Sequence, residues 1–142
     1  MITVREIAGP NELEICRALR RTVFIEEQNV AEAEEWDGRD GDARHILVFV
    51  GDTPVGTARL RTVGTLGKIE RVCVLAEARG SGAGRALMRF ALDRMQADPD
   101  LTGAKLGAQT HAIPFYESFG FEAYGPEYDD AGIPHRDMQV HF

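Results

Sequence analysis

The seven residues Arg79-Gly80-Ser81-Gly82-Ala83-Gly84-Arg85 have the composition of an anion-binding turn. Glycines let the backbone take positive φ and let a ligand approach the main chain, and the first amides of a following helix have no intrahelical partner. Arg79 and Arg85 add positive charge at the same spot in a chain that is otherwise acidic, so a pyrophosphate is the guest that suits this turn. Two other phosphate-binding patterns fail on the letters. No Lys-Ser or Lys-Thr pair follows the glycines, as a P-loop requires, and counting from Gly80 puts Arg85 where a dinucleotide fingerprint needs its third glycine. The plain alternative is a tight strand-to-helix connection whose glycines serve geometry alone.

The flanking residues are of the kinds that would position such a turn. Before it, Ile69, Val72 and Val74 lie in a run rich in β-branched residues that reads as a short buried strand. After it, Leu87, Met88, Ala91, Leu92 and Met95 recur at helical spacing, and the helix is expected to stop near Asp98-Pro99. Upstream, residues 2–8 alternate as a first strand. Pro10 then opens a helix running to about Gln28, with Asn11 as N-cap and Leu13, Cys16, Leu19 and Val23 on one face. Residues 29–43 are rich in carboxylates and read as a solvated loop or short helix. Arg44–Val50 and Val55–Arg61 flank the turn Gly51-Asp52-Thr53-Pro54 as a hairpin, and Lys68–Leu75 extends it into a meander. Leu101–Gln109 is expected to return parallel to Lys68–Leu75, followed by a short helix over Ile113–Phe119 capped by Gly120 and closing strands at Phe121–Tyr124 and Asp137–Phe142. The order β-α-β-β-β-α-β-α-β-β implies an α/β fold, a mixed sheet covered by helices.

The totals fit one domain spanning residues 1–142. A net charge of −7 and a pI near 5.1 argue against a nucleic-acid partner. No apolar run approaches the ~20 residues of a membrane span and no signal peptide is legible, so neither a membrane partner nor export is expected and the chain is assigned to the cytoplasm. Cys16 and Cys73 read as buried thiols. His45, His111, His135 and His141 share no ligand spacing, so no metal site is expected.

Taken as R-x-x-G-x-G after a buried strand, the turn resembles the pyrophosphate loop of the GNAT superfamily of acetyl-coenzyme A-dependent N-acetyltransferases. A second segment, Gln109 to Phe121, resembles that superfamily's later motif: an amide residue seven places before Tyr116, then Y-E-x-x-G-F. Gln109 departs from the usual Asn. The stretch Arg21–Gln28, then Trp36-Asp37, His45, the AQTHA segment and Gly132–Met138 resemble the ElaA-like branch.

The resemblance implies a GNAT-type, largely antiparallel mixed sheet flanked by helices, with acetyl-coenzyme A as co-substrate and a small-molecule amine as acceptor; it admits a homodimer. It also implies residue roles. The backbone of Val72, Cys73 and Val74 would pair with the pantetheine arm, and the Cys73 or Val74 amide would polarise the thioester carbonyl. Arg79, Gly80, Ser81, Gly82, Ala83, Gly84 and Arg85 would hold the pyrophosphate, with Gln109 and Phe115 on the same cofactor surface. Tyr116 stands where the family has its general acid, and a phenol can protonate a leaving thiolate; without the motif it would read as a core aromatic. Glu70 is the expected base, with His111 and His135 as rivals. Asp37, Asp40 and Asp42 are read as solvated yet able to grip a cationic acceptor, while Arg59, Arg61 and Arg136 could meet an anionic one. An acyl-homoserine lactone synthase, suggested by R-x-x-V-F at Arg20–Phe24, and a non-catalytic acyl-coenzyme A-binding module are the alternatives.

Overall fold

Arg44–Val50 (β2) and Thr53–Val63 (β3) fold back on each other at Gly51, whose φ of 60° favours glycine, and Leu66–Val74 (β4) continues the antiparallel meander. Ile2–Glu6 (β1) pairs outside β2. Beyond the glycine turn and the helix Ala83–Gln96 (α3), Gly103–Gln109 (β5) returns parallel to β4. Glu122–Asp130 (β6) and Ile133–His141 (β7) then close the sheet in the order β1-β2-β3-β4-β5-β7-β6. The computed structural model describes all residues, 1–142.

The two faces of the sheet are covered differently. Leu87, Met88, Ala91, Leu92 and Met95 of α3 pack on Ile46, Val48, Leu60, Ile69 and Leu106 to form the main core. On the other face Cys16, Leu19 and Val23, from the helix Pro10–Arg20 (α1) and its continuation, pack on Leu47 and Cys73. Burying each such aliphatic chain contributes about 1.5–3 kcal/mol. The cysteines are free buried thiols.

Four local expectations are corrected. The cap of α1 is Gly9 and not Asn11, because Pro10 lacks an N–H and suits the first helical position; Glu12 instead accepts the Ala8 amide at 2.7 Å. The helix does reach Glu27, but Arg21–Glu27 winds as a π-helix, with the Gln28 amide reaching back five residues to the Val23 carbonyl at 3.1 Å. The closing strands are longer than expected, since Ala131 (φ 54°) and Gly132 (φ 83°) make a tight two-residue turn that lets β6 and β7 pair up to it.

The largest departure is the acidic segment 29–43. A short helix, Glu32–Glu35 (α2), and a 3₁₀ turn, Asp40–Asp42, fold it onto the sheet, and only Asp42 among its three aspartates stays free at the surface. Asp40 is bound by Arg20 at 2.8 Å, Arg59 at 2.9 Å and Arg17 at 3.1 Å. Asp37 meets Arg59 at 2.7 Å, and Glu35 meets Arg20 at 2.8 Å and Arg71 at 3.0 Å. Arg59, 1% exposed, also binds Glu70 at 2.7 Å. Asp37 and Asp40 are therefore spent on structure, as are Arg59 and Arg61, the latter bound to Glu70; none is free to greet an acceptor. Arg136 donates to the Gly125 carbonyl.

Burial alone would raise the Asp40 and Glu70 pKa values, but the guanidinium partners outweigh it and hold each at about 2. Groups depressed in the folded state contribute stability above their unfolded pKa, near 4, and lose it as pH falls. Melting temperature should thus be level above about pH 5 and fall steadily toward pH 2. Arg59→Met, which leaves Asp37, Asp40 and Glu70 short of a partner, should cost about 3–5 kcal/mol in urea unfolding. A loss under 1 kcal/mol would show the network to be incidental.

Candidate active site

A β-bulge and a splay shape the site. The β3–β4 register runs Thr57 with Cys73 and then Arg59 with Glu70, so Arg71 and Val72 together oppose Ala58. Arg71 takes φ 53° and is held by Glu35 and by the Glu35 carbonyl at 3.2 Å. The extra residue shifts the alternation: Ile69, Val72 and Val74 pack toward α3, while Glu70 and Cys73 share the opposite face.

On its other side β4 pairs with β5 only from Leu66 to Lys68, after which the strands separate and the backbone edge of Val72–Val74 has no strand partner. The Leu75 amide bonds the Val55 carbonyl at 2.8 Å, and alternation along the ladder turns Cys73 toward β3 and Val72 and Val74 toward the gap. Of the two amides expected to polarise a carbonyl, Val74 is available and Cys73 is not. Burial pushes the Cys73 thiol up to about 12, so its sulfur is inert.

A cleft of about 620 Å³ occupies this gap, lined among others by Glu70, Val72, Cys73, Val74, Arg79, Gln109, Tyr116, His111 and His135. Gly80, Ser81, Gly82, Ala83, Gly84, Arg85 and Phe115 are not in its lining; the first six form the turn and start of α3 that follow Arg79, and the Phe115 ring lies beside Gly84. Gly80 (φ 83°) and Gly82 (φ 94°) make the turn, and the amides of Gly82, Gly84 and Arg85 find no acceptor in the protein. At Gly84 a Cβ would make ordinary contact with that ring at 3.6 Å. Arg85 lies over the Phe119 ring, 5.0 Å from its centre. Arg79 is gripped by Glu27 at 2.6 Å, an exposed pair that a phosphate could displace because such pairs are worth little. The turn thus fits a pyrophosphate.

Tyr116 stands on the short helix Ile113–Glu117 (α4) with no hydrogen-bond partner for its hydroxyl, and burial pushes its pKa up to about 12. It remains a proton donor across the neutral range. Gln109 donates to the Gln28 side chain at 2.9 Å, so its carbonyl oxygen is the acceptor for His111 Nε2 at 2.9 Å. His135, level with Gln109 across β5 and β7, donates from Nδ1 to the Ile133 carbonyl at 2.8 Å, leaving Nε2 as the ring's lone-pair nitrogen. Glu70 is in the cleft but bound by Arg61, Arg59 and, at 3.3 Å, Lys68.

Sequence reasoning passed over several lining residues. Glu27 and Gln28 reach the site through the π-helical segment, and Tyr128 lies over Gly107, where any Cβ would fall 2.6 Å from its hydroxyl. Tyr128 donates to Asp137 at 2.7 Å and stacks on His135. The one available signal was Gly107 itself, a glycine inside a strand.

Residues 11–142 match the family model described as the acetyltransferase (GNAT) domain. The chain belongs to the GNAT acetyltransferase family. It is 40% identical over 138 residues to the uncharacterized N-acetyltransferase YjcF of Bacillus subtilis, covering 95% of this chain and 98% of that one. Identity to protein ElaA of Escherichia coli is 39% over 125 residues, covering 84% of this chain and 81% of ElaA. The ElaA crystal structure superposes with a TM-score of 0.86 over 98% of this chain and 99% of that one at 33% identity. An acyl-CoA N-acyltransferase from Pseudomonas aeruginosa gives 0.83 over 98% and 97% at 29% identity. The expected GNAT fold, with its mixed and largely antiparallel sheet, is the observed one, and the likeness to ElaA holds in both sequence and structure.

For this GNAT domain, Gly82→Asp places a side chain at a positive φ and a negative charge at the turn, so binding of coenzyme A measured by calorimetry should fall at least 100-fold while the melting temperature drops only by the few degrees that such backbone strain costs. Retained affinity would remove the turn from the cofactor site.

Proposed function

We propose that this GNAT protein transfers an acetyl group from acetyl-coenzyme A directly to the primary amine of a small-molecule acceptor. The observation that carries the reading is that one cleft holds both an unpaired strand edge and a half-buried phenol with a free hydroxyl. The pantetheine arm would lie along Val72–Val74 as an added strand, with the amides of Val72 and Val74 as donors. The pyrophosphate would sit on the turn Gly80–Arg85, beside Phe115, with Arg79 released from Glu27 and Gln109 bordering the arm.

In the chemical step the neutral amine nitrogen attacks the thioester carbonyl carbon. A C–N bond forms, the C–S bond breaks, and the sulfur leaves as a thiol by taking the Tyr116 proton. The proton lost by the nitrogen passes to a base, and solvent reprotonates Tyr116. The base role expected of Glu70 passes to His135, because a carboxylate bound by three cations with a pKa of about 2 is a weak proton acceptor. His135 has its Nδ1 proton fixed by a carbonyl, which leaves the Nε2 lone pair as an acceptor in the cleft. Glu70 then serves to hold β4. A module that only bound acyl-coenzyme A would have no use for an unpartnered phenol in the cleft.

Tyr116→Phe should keep coenzyme A affinity while lowering kcat about 10- to 10⁴-fold, the usual worth of one general acid; unchanged kcat would return Tyr116 to a packing role. His135→Gln should erase the acidic limb of the kcat/KM profile, with Glu70→Gln keeping that limb. The reverse outcome would restore Glu70 as the base.

A further inference from the structure

Arg61, Lys68 and Lys105 form a lateral row of cations across three neighbouring strands. Arg61 stands opposite Lys68 in the β3–β4 ladder, and Lys68 opposite Lys105 in the last pair before β4 and β5 separate. All three share a face, since the residues beside them, Leu60, Ile69 and Ala104, are buried against α3 on the other. Like charges directly opposite one another destabilise a sheet. The usual remedy is a carboxylate on the adjoining strand, and here one carboxylate serves the row: Glu70 takes Arg61 at 2.7 Å and Lys68 at 3.3 Å while also binding Arg59. No carboxylate lies within 4.0 Å of the Lys105 ammonium, and its partner across β7 is the neutral Gln139.

This imbalance stands out in a chain with 23 acidic against 16 basic residues, whose only two lysines are these. Both line the cleft. The cleft's two carboxylates that are not exposed are already engaged, Glu35 by Arg20 and Arg71 and Glu70 as above, and exposed Asp137 accepts from the Tyr128 hydroxyl. Lys105 is not.

We propose that the acceptor amine carries an anionic oxygen group, a carboxylate or a phosphate, which Lys105 and Lys68 bind at the closed end of the cleft while the amine lies beside Val72. The inference rests on the acetyl-transfer reading above and narrows its substrate class. Lys68 and Val72 are four residues apart, at most about 13 Å along the strand, and the lysine stems span part of that distance. The anion and the amine are therefore joined by a short linker.

Thiol release at saturating acetyl-coenzyme A tests this with matched acceptors: 4-aminobutyrate against 4-aminobutyramide, and phosphoethanolamine against ethanolamine. The anionic member should be used with at least 10-fold higher kcat/KM, and whichever pair shows the preference identifies carboxylate or phosphate as the group read. Lys105→Gln should raise KM at least 10-fold for the anionic member and leave the neutral one unchanged, with Lys105→Arg restoring most of the loss. Because it removes a like charge opposite Lys68, Lys105→Gln should melt no lower than the parent, which separates a lost site from a lost fold. Equal use of charged and neutral acceptors, or a preference that survives Lys105→Gln, overturns the proposal. Should no amine be turned over, the transfer reading fails first, and calorimetry with 4-aminobutyrate and phosphoethanolamine decides the anion site: binding lost in Lys105→Gln supports it, and no binding, or binding indifferent to the substitution, refutes it.

Discussion

Arg59 is nearly inaccessible to water and is surrounded by Asp37, Asp40 and Glu70, two carboxylates from the acidic loop and one from β4. An ion desolvated in this way is tolerable only if every partner stays in place, since removing one strands a charge in a poor solvent. The constraint is therefore mutual. The loop cannot leave the sheet without exposing a guanidinium to unsatisfied burial, and β4 cannot shift its register without separating Glu70 from Arg59. Arg20 extends the same lattice to α1 through Glu35 and Asp40. His45 is tied in as well, donating from Nε2 to the Asp40 carbonyl at 2.9 Å, with burial pushing its pKa down so that it stays neutral.

The bulge depends on this lattice. A non-glycine residue at positive φ costs on the order of 1–3 kcal/mol, and Arg71 meets that cost through Glu35 and two backbone carbonyls. With the bulge in place, Cys73 turns its backbone to β3 and its thiol to α1, and the amides of Val72 and Val74 are left along the gap. Which amides face the open edge is thus set by ion pairing on the far side of the strand. An unpaired edge is ordinarily a site of unwanted pairing, and here the diverging β5 wall confines it to a cleft.

Much of the architecture was legible because it follows from local chemistry. The Gly51 hairpin, the parallel return of β5 and the glycine turn before α3 each carry a turn residue or a spacing that admits few alternatives. The ionic lattice was not legible, because Arg59 and Asp37 are distant in sequence and nothing in a run of acidic letters distinguishes a solvated loop from one whose carboxylates fold inward onto buried arginines. The face of Glu70 was hidden for a related reason. Strict alternation assigns it by parity, and one inserted residue at Arg71 changes the parity of everything after it. Tyr116 was readable through its motif, whereas Tyr128 was not, since only the tertiary fold lays it across Gly107.

Both lysines line the cleft, so every Lys-or-Arg cation outside it is an arginine. Guanidinium is a poor nucleophile toward thioesters and stays protonated at any physiological pH, whereas a lysine amine is the same functional group as a primary-amine acceptor. The exterior of this protein consequently offers almost no primary amine, the N-terminus excepted, to an acyl donor at high concentration. If the proposed transfer to an amine is its reaction, such a protein is chemically quiet toward an acyl donor everywhere but in the cleft.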